Sequence, residues 1–135
     1  MLADEVCTYL AAAGLGLTQG TNLFTAPFPD GAPDTGACLI DTPGEKGEDV
    51  FGGSLSPEAV ELPHFQVLVR AKDPAAARQL AWNVMKMLRN FQGTLSGVRY
   101  LRIERVSALP FFLKSDENHR YYYVGNYRAW KEESA

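Results

Sequence analysis

Residues 65–91 read FQVLVRAKDPAAARQLAWNVMKMLRNF, and the two periodicities that meet in this stretch decide the fold class. Phe65, Val67, Val69 and Ala71 alternate with Gln66 and Arg70, which is the period of two of a strand laying one face on a core. Asp73 followed by Pro74 then marks a helix start. An aspartate at the N-cap accepts backbone N–H bonds, and proline suits the first helical position. The spacing predicts a helix to about Phe91, with Ala77, Leu80, Ala81, Val84, Leu88 and Phe91 as its core stripe and Gly93 just past its end. Trp82 and Met85 widen the apolar surface sideways, toward either the edge of that stripe or another subunit.

Upstream, Leu2, Val6, Tyr9, Leu10 and Ala13 recur at helical spacing, and Gly14 and Gly16 supply a left-handed stop, so residues 2–13 read as a helix. Short apolar runs at 21–26 and 37–41 fit strands. The segment between them, rich in proline and glycine, is simplest as a turn joining antiparallel strands. From Thr42 to Pro63 the chain carries repeated Gly and Pro with the acidic Glu45, Glu48 and Asp49, and reads as a long flexible loop. Loops of that length are usually either functional or solvated insertions. Downstream, 98–107 and 121–130 are strand-like around the polar turn 115–119, which predicts an antiparallel hairpin. In 98–107, Leu101, Ile103 and Arg105 alternate against Tyr100, Arg102, Glu104 and Val106. The expected fold is α+β: a mostly antiparallel sheet of four to five strands with two helices packed on one face, in a single domain 1–135 ending in a short tail at 131–135.

A chain of 135 residues supports one core, and 46% hydrophobic with 21% charged residues places it among packed globular domains and outside the disordered class. The net charge of -3 offers no broad basic surface to neutralise phosphates, so DNA is disfavoured as a primary ligand. Cys7 and Cys38 lack CxxC spacing and a secretory context, and are expected as buried free thiols. The N-terminus is acidic where a signal peptide is basic, and no apolar run approaches a membrane span, so a cytoplasmic protein without a membrane partner is expected.

Chemistry finds little footing. Gly14 to Gly20 resembles a phosphate-binding loop, but its third glycine is one residue late and it follows a helix instead of opening one. Ser54 and Ser56 lie beside Gly52-Gly53 without a GxSxG elbow. His64 and His119 sit in no HExxH or CxxC neighbourhood, and the scattered Asp30, Asp34, Asp41, Glu45, Glu48 and Asp49 lack the DxDxDG calcium loop. No catalytic residue, metal ligand or cofactor is assigned. A small ligand-binding or enzymatic α+β domain using Arg70, Tyr100 and Tyr121 stays open as an alternative, because partners can converge in space without doing so in sequence.

The order and spacing of several pieces resemble the tail terminator, or tail completion, proteins of long-tailed bacteriophages, often described as minor capsid proteins. The pieces are the N-terminal helix with Asn22-Leu23-Phe24; Pro27, Pro29-Asp30 and Pro33-Asp34; residues 37–44; residues 65–71 with Asp73, Ala76, Ala77, Ala81 and Leu88; Arg99-Tyr100-Leu101; Pro110-Phe111-Phe112; and residues 116–120 with the tyrosine-rich strand behind them. The resemblance implies a structural protein and no enzyme. It would form a homo-hexameric ring at the head-proximal end of the virion tail, assembled in the host cytoplasm, which caps the tail tube and halts its polymerisation. Its partners would be itself, the major tail tube protein and a head-completion or neck protein, with DNA only passing through the ring. Another head–tail connector component is the alternative within the same class. Glu45, Glu48, Asp49 and Phe51 of the long loop, with Trp82, Met85 and Arg89 on a flank of the second helix, are the expected interface residues, since aromatic, Met and Arg side chains are favoured where subunits meet.

Overall fold

A computed structural model describes residues 2–45 and 60–132. Two helices, α1 (Leu2–Ala11) and α2 (Pro74–Leu88), pack with a curled sheet of seven strands: β1 (Leu23–Phe24), β2 (Gly36–Glu45), β3 (Val60–Ala71), β4 (Phe91–Leu95), β5 (Val98–Arg105), β6 (Phe111–Ser115) and β7 (Tyr121–Glu132). The order across the sheet is β1-β2-β3-β7-β5-β4, and β6 pairs with β7. The α+β class holds, with more strands than expected and one parallel pair, β1 with β2.

The strand at 65–71 behaves as its alternation requires. Phe65, Val67, Val69 and Ala71 are buried, and the first three join Ala37 and Leu39 of β2 in a core shared with Leu2, Val6 and Leu10 of α1 and Ala81, Val84 and Leu88 of α2. At the start of α2, Asp73 accepts a hydrogen bond from the Ala75 N–H at 3.3 Å, with Pro74 in the first turn. The helix stops at Leu88, short of the expected Phe91, because Arg89 is already extended and Asn90 turns left-handed at φ 60°. Asparagine thus fills the role that sequence spacing gave to Gly93. Phe91 instead opens β4, which turns into β5 through Ser96 (φ 50°) and Gly97 (φ 82°), the pair of positive φ values that matches a two-residue hairpin to strand twist.

Three expected connections differ. Because β1 runs parallel to β2, the segment after Phe24 is no hairpin turn. It crosses the sheet's back face, where Phe28 lies over the Arg70 guanidinium at 4.0 Å and edge-on to Tyr122. The hairpin expected between 98–107 and 121–130 is interrupted. Both β5 and β6 run antiparallel to β7, on Tyr127–Lys131 and Tyr121–Val124 respectively, while β3 occupies the opposite edge along the whole of β7. They are therefore two collinear pieces of one strand line, parted at 106–110. The expected alternation in β5 also fails, because a register shift between Tyr100 and Arg102 places both Tyr100 and Ile103 inside. At the long loop, β2 continues through Glu45 and β3 starts at Val60, so both ends of the segment 42–63 are strand; its middle, 46–59, lies outside the described residues. The tail expected from 131 is likewise strand through Glu132, with Lys131 only 2% exposed.

Candidate assembly surfaces

Lys131 belongs to a polar cluster sealed under α1. Its Nζ lies 3.1 Å from Glu5 Oε1, and the Tyr100 hydroxyl donates to the same oxygen at 2.5 Å. Burial alone would raise the Glu5 carboxyl, but the bonds from Tyr100 and Lys131 outweigh it and hold the group below its ordinary value. The cluster ties α1 to β5 and β7 and has almost no exposed surface, since Glu5, Tyr100 and Lys131 are all buried. Its role is structural.

Arg70, Tyr100 and Tyr121 do not converge. Tyr100 pairs with Lys131 near one end of β7, whereas Arg70 and Tyr121 stand at the other, with Arg70 opposite Tyr122. Among the described residues no group of His, Cys, Asp and Glu could hold a metal ion. Cys7 and Cys38 are free and buried. Burial, with Asp4 nearby, pushes the Cys7 thiol up to about 12, and burial pushes Cys38 up to about 11 against the opposing hydrogen bond to the Phe28 backbone and the charge of Arg70. Neither is poised as a nucleophile at neutral pH.

The residues expected at an interface scatter. Met85 is 1% exposed and is taken up by the chain's own core, because the stripe of α2 is wide enough to include it. Trp82 is half-buried against that core and shares a shallow depression with Arg78, Gln79 and Lys86. Arg89 is exposed at the C-cap, its N–H bonded to the Met85 carbonyl. Glu45 is the last residue of β2, opposite Leu62, while Glu48, Asp49 and Phe51 fall outside the described residues.

Sequence reasoning missed an apolar exposed surface. Val106, Leu109, Phe111, Phe112 and Leu113 are 43–54% exposed, and every residue of β6 is exposed. Among the described residues β6 pairs with β7 alone, so its outer edge also presents unpaired backbone groups. Phe112 packs edge-on to Tyr123, which steadies the strand without covering it. The signal was the run Leu109-Pro110-Phe111-Phe112-Leu113, apolar throughout and lacking the alternation that would give it an inward face.

On the back face, a cleft of about 530 Å³ opens between the 27–32 segment and the β6–β7 turn. Arg70, Lys114 and Arg120 line it, with Asp30 as the one lining carboxylate. Arg70 is 3% exposed, yet among the described residues its hydrogen bonds reach only neutral groups: the Tyr122 hydroxyl at 3.3 Å and the Ala32 and Pro33 carbonyls at 3.2 and 2.9 Å. Its Nε has no partner. Arg120 is matched differently, its Nε 2.8 Å from Asp116 Oδ2, the oxygen that also accepts from Tyr122. Partial burial works against ionisation of Asp116, but bonds from the Arg120 backbone, the Tyr122 hydroxyl and the Arg120 side chain hold it well below the usual carboxylate range.

An edge strand clad in apolar side chains, a tryptophan framed by cations and a cationic cleft, on a domain without a converging catalytic set among its described residues, are features of a protein that works by contact with other proteins. The comparisons with known proteins give that class its particular form. Residues 9–133 match the family model described as bacteriophage tail terminator protein, and the chain belongs to that family. It is a phage tail structural protein and virion component, and not an enzyme. In fold it is similar to a chain of a solved virion of a native gene transfer agent particle, with a TM-score of 0.66 at 19% identity over 97% of this chain and 96% of that one. Comparison with curated proteins gave no match.

Proposed function

We propose that the protein closes into a homo-hexameric ring on the tip of the finished tail tube, stops its polymerisation and offers the surface to which the head docks. Its partners on this reading are copies of itself, the major tail tube protein and a head-completion or neck protein. DNA passes through the ring at the head-proximal end of the tail, and assembly takes place in the host cytoplasm. The observation that carries the reading is the exposed apolar edge from Val106 to Leu113. Contiguous apolar surface of this kind marks a protein contact. At ~200 Å² for a whole phenylalanine side chain, Phe111 and Phe112 alone leave roughly 190 Å² of ring in solvent.

A ring needs a heterologous interface, in which one patch meets an unlike patch on the neighbour and the rotation closes. The β6 edge supplies the first. The outer flank of α2, with Trp82 between Arg78 and Lys86 and with Arg89 beyond, supplies a second of different character. The segment 42–63, with Glu45, Glu48, Asp49 and Phe51, is proposed as a further contact to a neighbour or to the tube. Electron microscopy of lysates lacking the protein tests the function. Tails of abnormal length are expected, whereas normal tails beside unattached heads would reassign the protein to the head side of the joint.

A further inference from the structure

We infer that the back-face cleft is a binding site for a carboxylate delivered by a second copy of this chain, from the acidic run at residues 45–49. This deepens the ring reading and rests on it. Burying a guanidinium away from a counter-charge is costly, and such groups are ordinarily paired or satisfied by charged acceptors. Among the described residues Arg70 has no carboxylate at ion-pair distance, and its buried Nε has no partner. Among the described residues its hydrogen-bonded route to negative charge runs through the Tyr122 hydroxyl to Asp116, which is already engaged by Arg120. Lys114 stands on the same cleft, its ammonium 4.9 Å above the Tyr122 ring and in no ion pair among the described residues. Two unneutralised cations facing one cavity, with Asp30 the single lining carboxylate, are arranged for an incoming anion.

The anion is a protein carboxylate and not DNA phosphate. A chain of net charge -3 repels a duplex as a whole, whereas one acidic side chain on a narrow segment can enter a cleft that a duplex cannot. The run carrying Glu45, Glu48 and Asp49 has the complementary charge. A second copy is taken as its source because Glu45, the described end of the run, lies far from the cleft. Along β3, Arg70 lies eight residues beyond Leu62, the partner of Glu45, which is roughly 26 Å of strand. Glu45 and Arg70 therefore stand toward opposite ends of the β2–β3 pair, a disposition that a head-to-tail contact can use to close a ring.

The test uses the intact 15N-labelled protein and a synthetic peptide of residues 43–51, PGEKGEDVF, followed by amide shifts that register even millimolar binding. The peptide is expected to move the Arg70, Lys114 and Tyr122 signals, to bind more weakly as salt rises, and to lose about tenfold in affinity on Lys114→Met, a change at an exposed site. The peptide carrying Glu48→Lys and Asp49→Lys should not bind. Absence of shifts at millimolar peptide, or binding indifferent to Lys114→Met, overturns the proposal. In the full chain, Lys114→Glu should weaken association, and Glu48→Lys with Asp49→Lys in the same chain should restore it. Rings that form undiminished with Lys114→Glu refute the cleft while leaving the ring reading intact. If no ring forms under any condition, the ring reading fails and the peptide result still judges the cleft.

Discussion

Replacing Glu5 by glutamine removes one negative charge from beneath α1 with almost no change of shape. Lys131, 2% exposed, then keeps an ammonium without the carboxylate that stood 3.1 Å from it. Removing one member of a buried ion pair costs about 3–5 kcal/mol. Domains of this kind hold roughly 5–15 kcal/mol of stability in all, so a large share should vanish. With a urea slope of about 2 kcal/mol per molar, the unfolding midpoint read by circular dichroism should fall by about 2 M. A fall under ~0.5 M would refute the reasoning. Exchanging the trio together, Glu5→Leu with Lys131→Met and Tyr100→Phe, should instead stay within about 1–2 kcal/mol of the natural chain, because the carboxylate and the ammonium are removed together. The pH dependence has a definite sign. Because the folded Glu5 carboxyl lies below its ordinary value of 4.5, its contribution is complete above that value and is lost as pH falls through the lower folded one. The Glu5→Gln chain should lack that part of the acid sensitivity.

Phe111→Ser with Leu113→Ser should leave the melting curve within ~0.5 kcal/mol, as both side chains are about half exposed. If an interface covers the exposed part of Phe111, its loss alone weakens each contact by about 2 kcal/mol, near thirtyfold, and the mass of the assembly measured with tail tube protein should drop. Trp82→Ala is expected to stay folded by circular dichroism while sedimenting as a smaller species; a chain that unfolds would assign Trp82 to the core alone. Gly36→Ala should lower the melting temperature by roughly 4–12 °C. Its new methyl would sit 2.6 Å from the Asn22 carbonyl oxygen, which accepts the Ala37 N–H and holds β1 against β2.

Much of the architecture could be read locally. Alternation from Phe65 to Ala71, the Asp73-Pro74 cap and the apolar stripe of α2 are written within a few residues of where they act, so backbone geometry and burial follow from spacing. The missed strands show the limit of that method. Phe91 suits the last turn of a helix as well as the first residue of β4, and the extended Arg89 with the left-handed Asn90 decides between them. Phe111 to Ser115 carries no alternation because both its faces are exposed, and a strand without an inward face leaves no period to detect.

By itself the sequence determined the α+β class, a cap and helix after the central strand, a pair of thiols without disulfide spacing and a family resemblance carried by order and spacing. Tertiary structure decided the parallel pairing of β1, the burial of Arg70 beneath Phe28, and the meeting of Glu5 with Tyr100 and Lys131 across 95 and 126 residues of chain. Periodicity reports which way one residue faces within its own element. Which distant element it faces is set by the register of strands and the crossing of loops, and charge pairing, cleft and exposed edge all depend on that.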